Sequence, residues 1–324
     1  MSKGGKNLRK GINKGGFYNR KSPRLMSKKR REALWGYFFV SPFILGLIVF
    51  WLGPILFSLF GSFTDYNLTS KMNYIGFDNF KRMFNEDDLF WKALKNTFYF
   101  TLFNVPLTTL FSCVLALMLN CRIPGIRIYR TIFYLPAVLT GVAVYVLWMQ
   151  LLSPNHGLVN LVLSWFGISG PAWLSDPNWT KPALILMKLW SAGGSMLLYL
   201  ATLQSIPKTL YEAAEMDQAT SWHKFRYITL PLITPIIFFD ITTSTIGSFQ
   251  IFQEAYVMTE NSRGGPANSL LFYNFHMWNK AFVAFDMGYA MALSLFLFFI
   301  ILIITIINLK VAPYWVFYAG GDKK

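Results

Sequence analysis

The sequence predicts an all-α membrane protein of six transmembrane helices with both termini in the cytoplasm. Three observations carry that expectation. The 324 residues are 54% hydrophobic and only 14% charged, where a soluble domain has roughly 25% charged residues. Six stretches hold the roughly 20 apolar residues that a helix needs to cross about 30 Å of hydrocarbon. They lie at about 35–60, 96–119, 131–152, 182–203, 232–256 and 287–309. The basic residues also fall unevenly on the two sides that these stretches define.

The chain opens with a basic tail, residues 1–31, which holds twelve of the 30 Lys and Arg residues. Its Lys, Arg, Gly, Asn and Ser content cannot build a core, so it is expected to be disordered. The apolar stretch behind it, Trp35 to Phe60, exceeds the roughly 7–15 residues of a signal-peptide core. It therefore reads as an uncleaved first span. A formal net charge of +15 points to nucleic acid or to an anionic membrane surface. The apolar majority decides for membrane lipid and against nucleic acid. Pro42, Pro54, Pro106 and Pro136 fall inside apolar stretches, where neighbouring helices re-satisfy the freed backbone groups. The domain reading is a tail at 1–31, a six-span domain at 32–314 and a second tail at 315–324.

An even number of spans puts both ends on one side. That side collects the basic tail, Arg122, Arg127, Arg130, Lys208, Lys224, Arg226, Lys310, Lys323 and Lys324. The other side has Lys71, Lys81, Arg82, Lys92, Lys95, Lys181, Arg263 and Lys280. The richer side is expected to be cytoplasmic. The outer loops are then 61–95, 153–181 and 257–286. The last carries a turn signal, Gly264-Gly265-Pro266. Phe272, Tyr273, Phe275, Trp278 and Phe282 follow, and are expected to form an interfacial helix with its rings at headgroup depth, the alternative being a docking surface for an external protein. Cys113 and Cys121 read as small buried hydrophobes without a disulfide. His156, His223 and His276 are scattered, make no metal set, and are expected at surfaces or interfaces.

The inner loop 206–231 is the most informative segment. Thr209 with Glu212 three residues on has the form of a capping box, and Tyr211, Ala214 and Glu215 share one helical face. Ser221 is placed to cap a second short helix through Phe225 and Ile228. Pro231 and Pro235 then mark the start of the fifth span. The expectation is two short helices joined by a turn near Gln218.

Glu212-Ala213-Ala214, with Asp217 five positions after the Glu and Ile228-Thr229-Leu230-Pro231 downstream, resembles the EAA loop of bacterial ABC importer permeases. Trp35-Gly36-Tyr37, Ser41-Pro42 and Gly264-Gly265-Pro266 are similar to the sugar branch of that family, the maltose and glycerol-phosphate type. The resemblance implies a type I permease fold in the bacterial cytoplasmic membrane, forming half of a translocation pathway for sugars or oligosaccharides. It implies a second, related permease chain, two ATPase subunits that bind ATP and Mg, and an extracellular or periplasmic solute-binding protein. Tyr211, Glu212, Ala213, Ala214, Asp217 and Gln218 would form the coupling helix that docks in a cleft of the ATPase. Glu212 would pair with a basic group there, the two alanines would allow close approach, and Asp217 would brace the turn. The family has Gly where this chain has Gln218. A positive φ at a non-glycine residue costs about 1 kcal/mol, so either the turn differs or the strain is tolerated.

Charges inside spans are costly, roughly 2.5–3.5 kcal/mol on insertion scales, and are functional by default. Lys188, Asp240 and Glu254 are the candidates. Lys188, Ser191, Ser195 and Thr202 share one face of the fourth stretch. Asp240, Thr243, Ser244, Gly247, Ser248, Gln250 and Glu254 form a stripe on the fifth, with Ile246, Phe249 and Phe252 turned away. Such faces suit a path for a polar solute, or they are contacts between helices; both readings stay open. Lys188 is expected to pair with Asp240 or Glu254, the alternative being an acidic solute. Asn104, Thr108, Thr109 and Thr140 are weaker candidates. No phosphate-binding loop, Gly-x-Ser-x-Gly elbow, His-Glu-x-x-His or Cys cluster occurs, so neither catalysis nor a cofactor is expected on this chain. The rival class is an ion-coupled carrier or channel working through Lys188, Asp240 and Glu254, which would leave the inner loop unexplained.

Overall fold

The computed structural model describes residues 28–69, 71–121, 123–139, 141–259 and 264–318. Residues 1–27 of the basic tail, Arg122, Thr140, Arg263 and residues 319–324 lie outside the described residues.

Among the described residues all regular structure is helical, apart from one isolated bridge between Thr64 and Tyr74. The elements are α1 (Lys28–Gly61), α2 (Asp78–Asn85), α3 (Asp88–Leu119), α4 (Ile126–Val138), α5 (Val142–Leu151), α6 (Leu158–Trp165), α7 (Thr180–Trp190), α8 (Gly193–Ser205), α9 (Lys208–Met216), α10 (Ser221–Phe249), α11 (Gln253–Met258), α12 (Tyr273–Trp278) and α13 (Met287–Trp315). Four of them, α1, α3, α10 and α13, are long and apolar enough to cross a membrane. Two bent pairs, α4 with α5 and α7 with α8, bring the number to as many as six if each pair is one span.

An 18-residue hydropathy window passes over these breaks, because the apolar residues on either side outweigh the few small and polar ones at the break. The first pair is interrupted next to Gly141, which has φ +89°. The second bends by 44° at Ser191–Ala192. There α8 starts on Gly193, where a Cβ would lie 2.1 Å from the Phe133 carbonyl oxygen. The missing side chain lets two backbones touch.

Proline placement explains two further irregularities. A wide π turn at Ile48–Leu52 precedes Pro54, and another at Phe225–Thr229 precedes Pro231. Proline lacks the amide that a regular ladder uses, and the wider turn beside it takes up the gap. Hence Ser221–Phe249 is one continuous helix, not the expected short helix followed by a separate span. It also ends sooner than expected, at Phe249 instead of 256.

Contacts divide the chain at Ile55–Leu56. In the first unit, no residue of Lys28–Leu47 is buried. The second unit holds three clusters of buried apolar side chains. One joins Leu115, Ala116 and Leu119 of α3 to Met196, Tyr199, Leu200 and Leu203 of α8 and Ile233 of α10, with Tyr211 of α9 packed against it. A second is built on Phe100, Trp148, Leu184, Phe272 and Phe275. The third holds Phe90, Phe249, Tyr273, Tyr289 and Leu293.

The expected interfacial helix over 268–282 is corrected here. Phe272, Tyr273 and Phe275 are sealed inside the bundle, and only Phe282 of the five rings is exposed. The chain turns inward at Gly264 and Gly265, both with positive φ, where a Cβ on Gly264 would lie 2.7 Å from Leu271 Cβ. Asn96 Nδ2 of α3 then holds the turn by donating to the carbonyls of Asn268 (2.9 Å) and Leu271 (3.0 Å). The cysteines also differ from expectation. Cys113 is half-buried and Cys121, beyond the end of α3, is exposed; both are free.

Candidate functional site

Helix α9 starts directly after Pro207, which takes the N-cap position without a side-chain cap bond. Thr209 therefore lies inside the first turn, and the expected capping box does not form. The helix closes with paired backbone bonds: Gln218 N–H donates to Glu215 O, and Ala219 N–H to Ala214 O, each at 2.9 Å. This is a Schellman closure, which requires a left-handed residue at its centre. Gln218 supplies it at φ +56°. The turn keeps the geometry that glycine would favour and bears the strain.

One face of α9 is tied down. The Tyr211 hydroxyl lies 2.9 Å from Thr229 Oγ1, and Lys224 Nζ donates to Glu215 at 2.8 Å. The opposite face is free of the fold: Glu212, Ala213, Met216 and Asp217 are exposed, Met216 at 85%. A carboxylate, a small residue and a pliable apolar chain thus stand on a short rod anchored from behind. Helix α10 begins with Thr220 as its cap, accepting from His223 N–H; the expected cap, Ser221, is the first helical residue.

Lys188 forms an ion pair with Glu254. The pair lies on a cavity of about 190 Å³ that Tyr145, Trp148, Met187 and Ser191 also line. The expected stripe of the fifth stretch does not extend to this point. Helix α10 stops at Phe249, Gln250 caps it, and Phe252 leaves helical geometry at φ −146°. Glu254 is carried by α11, so its position follows from the break and not from helical periodicity.

Asp240 occupies a different site and has no cation partner among the described residues. Its carboxylate accepts from Ser195 Oγ (2.7 Å), Thr109 Oγ1 (2.9 Å), Tyr199 OH (3.0 Å) and, at 3.5 Å, Ser244 Oγ. It is 4% exposed. Ser248 accepts from Asn104 Nδ2 at 3.0 Å. Thr243 is turned outward and donates to the Phe239 carbonyl of its own helix. Lys188, Asp240 and Glu254 thus separate into one ion pair and one hydroxyl cage.

Two sets of residues go beyond the sequence reading. Helix α3 carries Thr97, Thr101 and Ser112 on the same side as the expected candidates Asn104 and Thr108, and helical spacing alone is enough to find them. The other is a knot around Asp87, the cap of α3. Its carboxylate accepts from His276 Nε2 and Tyr289 OH, each at 2.8 Å, with Lys280 Nζ at 3.2 Å. Arg82 pairs with Asp286 at 2.5 Å beside it. His276 is 2% exposed, which corrects its expected place at a surface; His156 and His223 are exposed. Burial pushes the Asp87 carboxyl up, but the bonds and charge of His276, Tyr289 and Lys280 outweigh it and hold it below the usual carboxylate range. No local sequence pattern joins residues so far apart.

Comparison with known proteins gives these arrangements a context. Residues 112–314 match the family described as binding-protein-dependent transport system inner membrane component. The chain is 42% identical over 91% of its length to a probable ABC transporter permease protein, YesP, of Bacillus subtilis, covering 95% of that protein. It is 37% identical over 92% of its length to the lactose transport system permease protein LacF of Rhizobium radiobacter, covering 98% of it. Among solved structures, a chain of a bacterial alginate ABC transporter in complex with an alginate pentasaccharide-bound periplasmic protein superposes with a TM-score of 0.78. That match has 26% identity and covers 90% of this chain and 97% of the other.

Proposed function

The chain belongs to the binding-protein-dependent transport system inner membrane components, and from that membership we propose that it forms half of the translocation pathway of an ATP-driven saccharide importer. Six spans, counting each bent pair as one, would put both termini in the cytoplasm of a bacterial cell. The excess of basic residues at 1–31, 122–130 and 208–226 supports that orientation. The saccharide reading is supported by relatives named for lactose and alginate. The partners are a second permease, two ATPase subunits carrying ATP and Mg, and an external solute-binding protein.

The observation that carries the coupling assignment is the tethered rod α9. Tyr211, bonded to Thr229, and Glu215, bonded to Lys224, tie it to α10, while the exposed Glu212, Ala213 and Asp217, with Ala214 at the edge, form the docking face for the ATPase. ATP-driven closure of the ATPase pair moves this rod, and the spans alternate between inward-facing and outward-facing arrangements. Lys188, Ser191 and Glu254, around their cavity, line the solute path, with Thr243 and Gln250 on exposed faces nearby in sequence.

The test is Glu212→Lys in the assembled complex. The side chain is exposed, so the fold should persist. Solute-stimulated ATP hydrolysis should fall by about tenfold or more, since losing one side of a docked charge pair costs roughly 2–5 kcal/mol. Unchanged stimulation would overturn the coupling assignment.

A further inference from the structure

We infer that Asp240 is a positioning residue for energy coupling: it binds α8 and α10, the two helices that flank the α9 rod, to α3, so that they move as one block. The inference rests on the importer reading above and assigns Asp240 a different task from contact with solute.

The argument begins with what the carboxylate does. Its two oxygens receive hydroxyls from three helices: Thr109 from α3, Ser195 and Tyr199 from α8, and Ser244 from its own α10. Every one of these is a donor, and the residue is almost wholly buried. An acceptor already bonded to four hydroxyls and closed to solvent has little capacity left for a passing sugar. Nor does it face a cation, which a purely electrostatic strut would need. A carboxylate is instead the group that gathers the most hydroxyl donors at one point, because it offers about four lone-pair sites on two oxygens.

Position makes the gathering useful. From the level of Asp240 toward α9, both helices are unbroken: α8 runs to Ser205, and α10 is continuous from Ser221. Tyr211 and Thr229 cross-link the rod to α10. In the other direction both helices break, at Ser191–Ala192 before α8 and at Gln250–Phe252 after α10. The Lys188–Glu254 pair bridges the segments beyond those breaks. Two cross-links therefore lie on either side of a pair of breaks. Motion of the rod reaches Asp240 through continuous helix, and the chain can flex beyond it, next to the cavity. Coupling needs such a bistable joint driven by a stiff element.

Two substitutions separate this role from solute contact. Asn at 240 keeps one carbonyl acceptor, and its amide can donate to hydroxyls that rotate to accept; Leu at 240 removes all acceptors while keeping the same branched heavy-atom skeleton, with bulkier methyl groups. In the reconstituted complex with a solute it carries, Asp240→Asn should keep solute transported per ATP hydrolysed near the wild-type value. Asp240→Leu should lower that ratio by about fivefold or more, within the span of measured coupling effects, with the KM for solute unchanged. Tyr199→Phe combined with Ser195→Ala alters almost no volume and should reproduce the loss, which guards against simple misfolding of the Leu variant. A raised KM in Asp240→Asn, or an unchanged ratio in both Asp240→Leu and the double variant, would overturn the inference. Absence of ATP-driven uptake in the wild-type complex would instead overturn the importer reading, and this inference with it.

Discussion

The Tyr211 hydroxyl sits 2.9 Å from that of Thr229, and this bond fastens the short helix α9 to the π turn near the start of α10. Tyr211→Phe removes it while keeping the ring against the α3, α8 and α10 core. One such bond is worth about 1 kcal/mol. Thermal unfolding of the purified protein in detergent should show a correspondingly small loss, and solute-stimulated ATPase activity of the complex a larger one, because the rod is then tied to α10 through the Glu215–Lys224 pair without the Tyr211 bond.

Gln218 bears a left-handed backbone at φ +56°. Gln218→Gly relieves this strain and should stabilise the protein by up to about 1 kcal/mol, measured as a rise in Tm. A fall in Tm would show that the Gln side chain supplies an interaction worth more than the strain.

Lys188 and Glu254 are partners on the cavity wall, the lysine partly open to solvent. Lys188→Met removes the partner of the buried Glu254 and should cost roughly 1–2 kcal/mol, less than for a fully buried pair because solvent screens the lysine, whereas Lys188→Met with Glu254→Met should recover most of it. A double-mutant cycle on unfolding midpoints measures the coupling directly.

Gly193 meets backbone, not a yielding side chain: a Cβ there would lie 2.1 Å from Phe133 O and 2.9 Å from Tyr134 Cα. Gly193→Ala should therefore destabilise by roughly 1–3 kcal/mol through overpacking. Gly194→Ala is the control, since its nearest neighbour would be Ala137 Cβ at 3.9 Å, and its Tm should stay near wild type.

Asp87 sets an acid limit. Its carboxyl is held below the ordinary value of 3.8 by His276, Tyr289 and Lys280 against the upward push of burial. A group with a depressed folded-state pKa contributes stability above its unfolded pKa and loses it as pH falls. Unfolding midpoints should therefore decline below about pH 4, and Asp87→Asn should flatten that decline.

The long apolar helices were legible because hydropathy and length suffice for them: α3 and α13 appear where the apolar stretches lie. The inner loop was legible for another reason, since its residues are consecutive and its turn is local. The breaks were less so. Window hydropathy between Thr180 and Ser205 passes over a 44° bend; the Ser191-Ala192-Gly193-Gly194-Ser195 run is its local mark, and the close approach of Gly193 to the Phe133 carbonyl is what only the fold shows. The stripe from Asp240 to Glu254 failed at Phe252 for the same reason, as periodicity presumes an unbroken helix. Ser195 and Asp240 stand on separate predicted faces, and it is packing that brings them into direct contact, with the hydroxyls of Tyr199 and Thr109 on the same carboxylate. Asp87 and His276, 189 positions apart, could be paired only by the fold.

The inward fold of Leu270 to Phe275 has a practical corollary for anyone charting which parts of this chain reach water. Reagents that tag thiols would leave Cys placed at 272, 273 or 275 unmarked, as though lipid surrounded them. A map drawn from such tagging would report an extra crossing where the polypeptide merely tucks into its own interior, and would invert the inferred sidedness of everything after it.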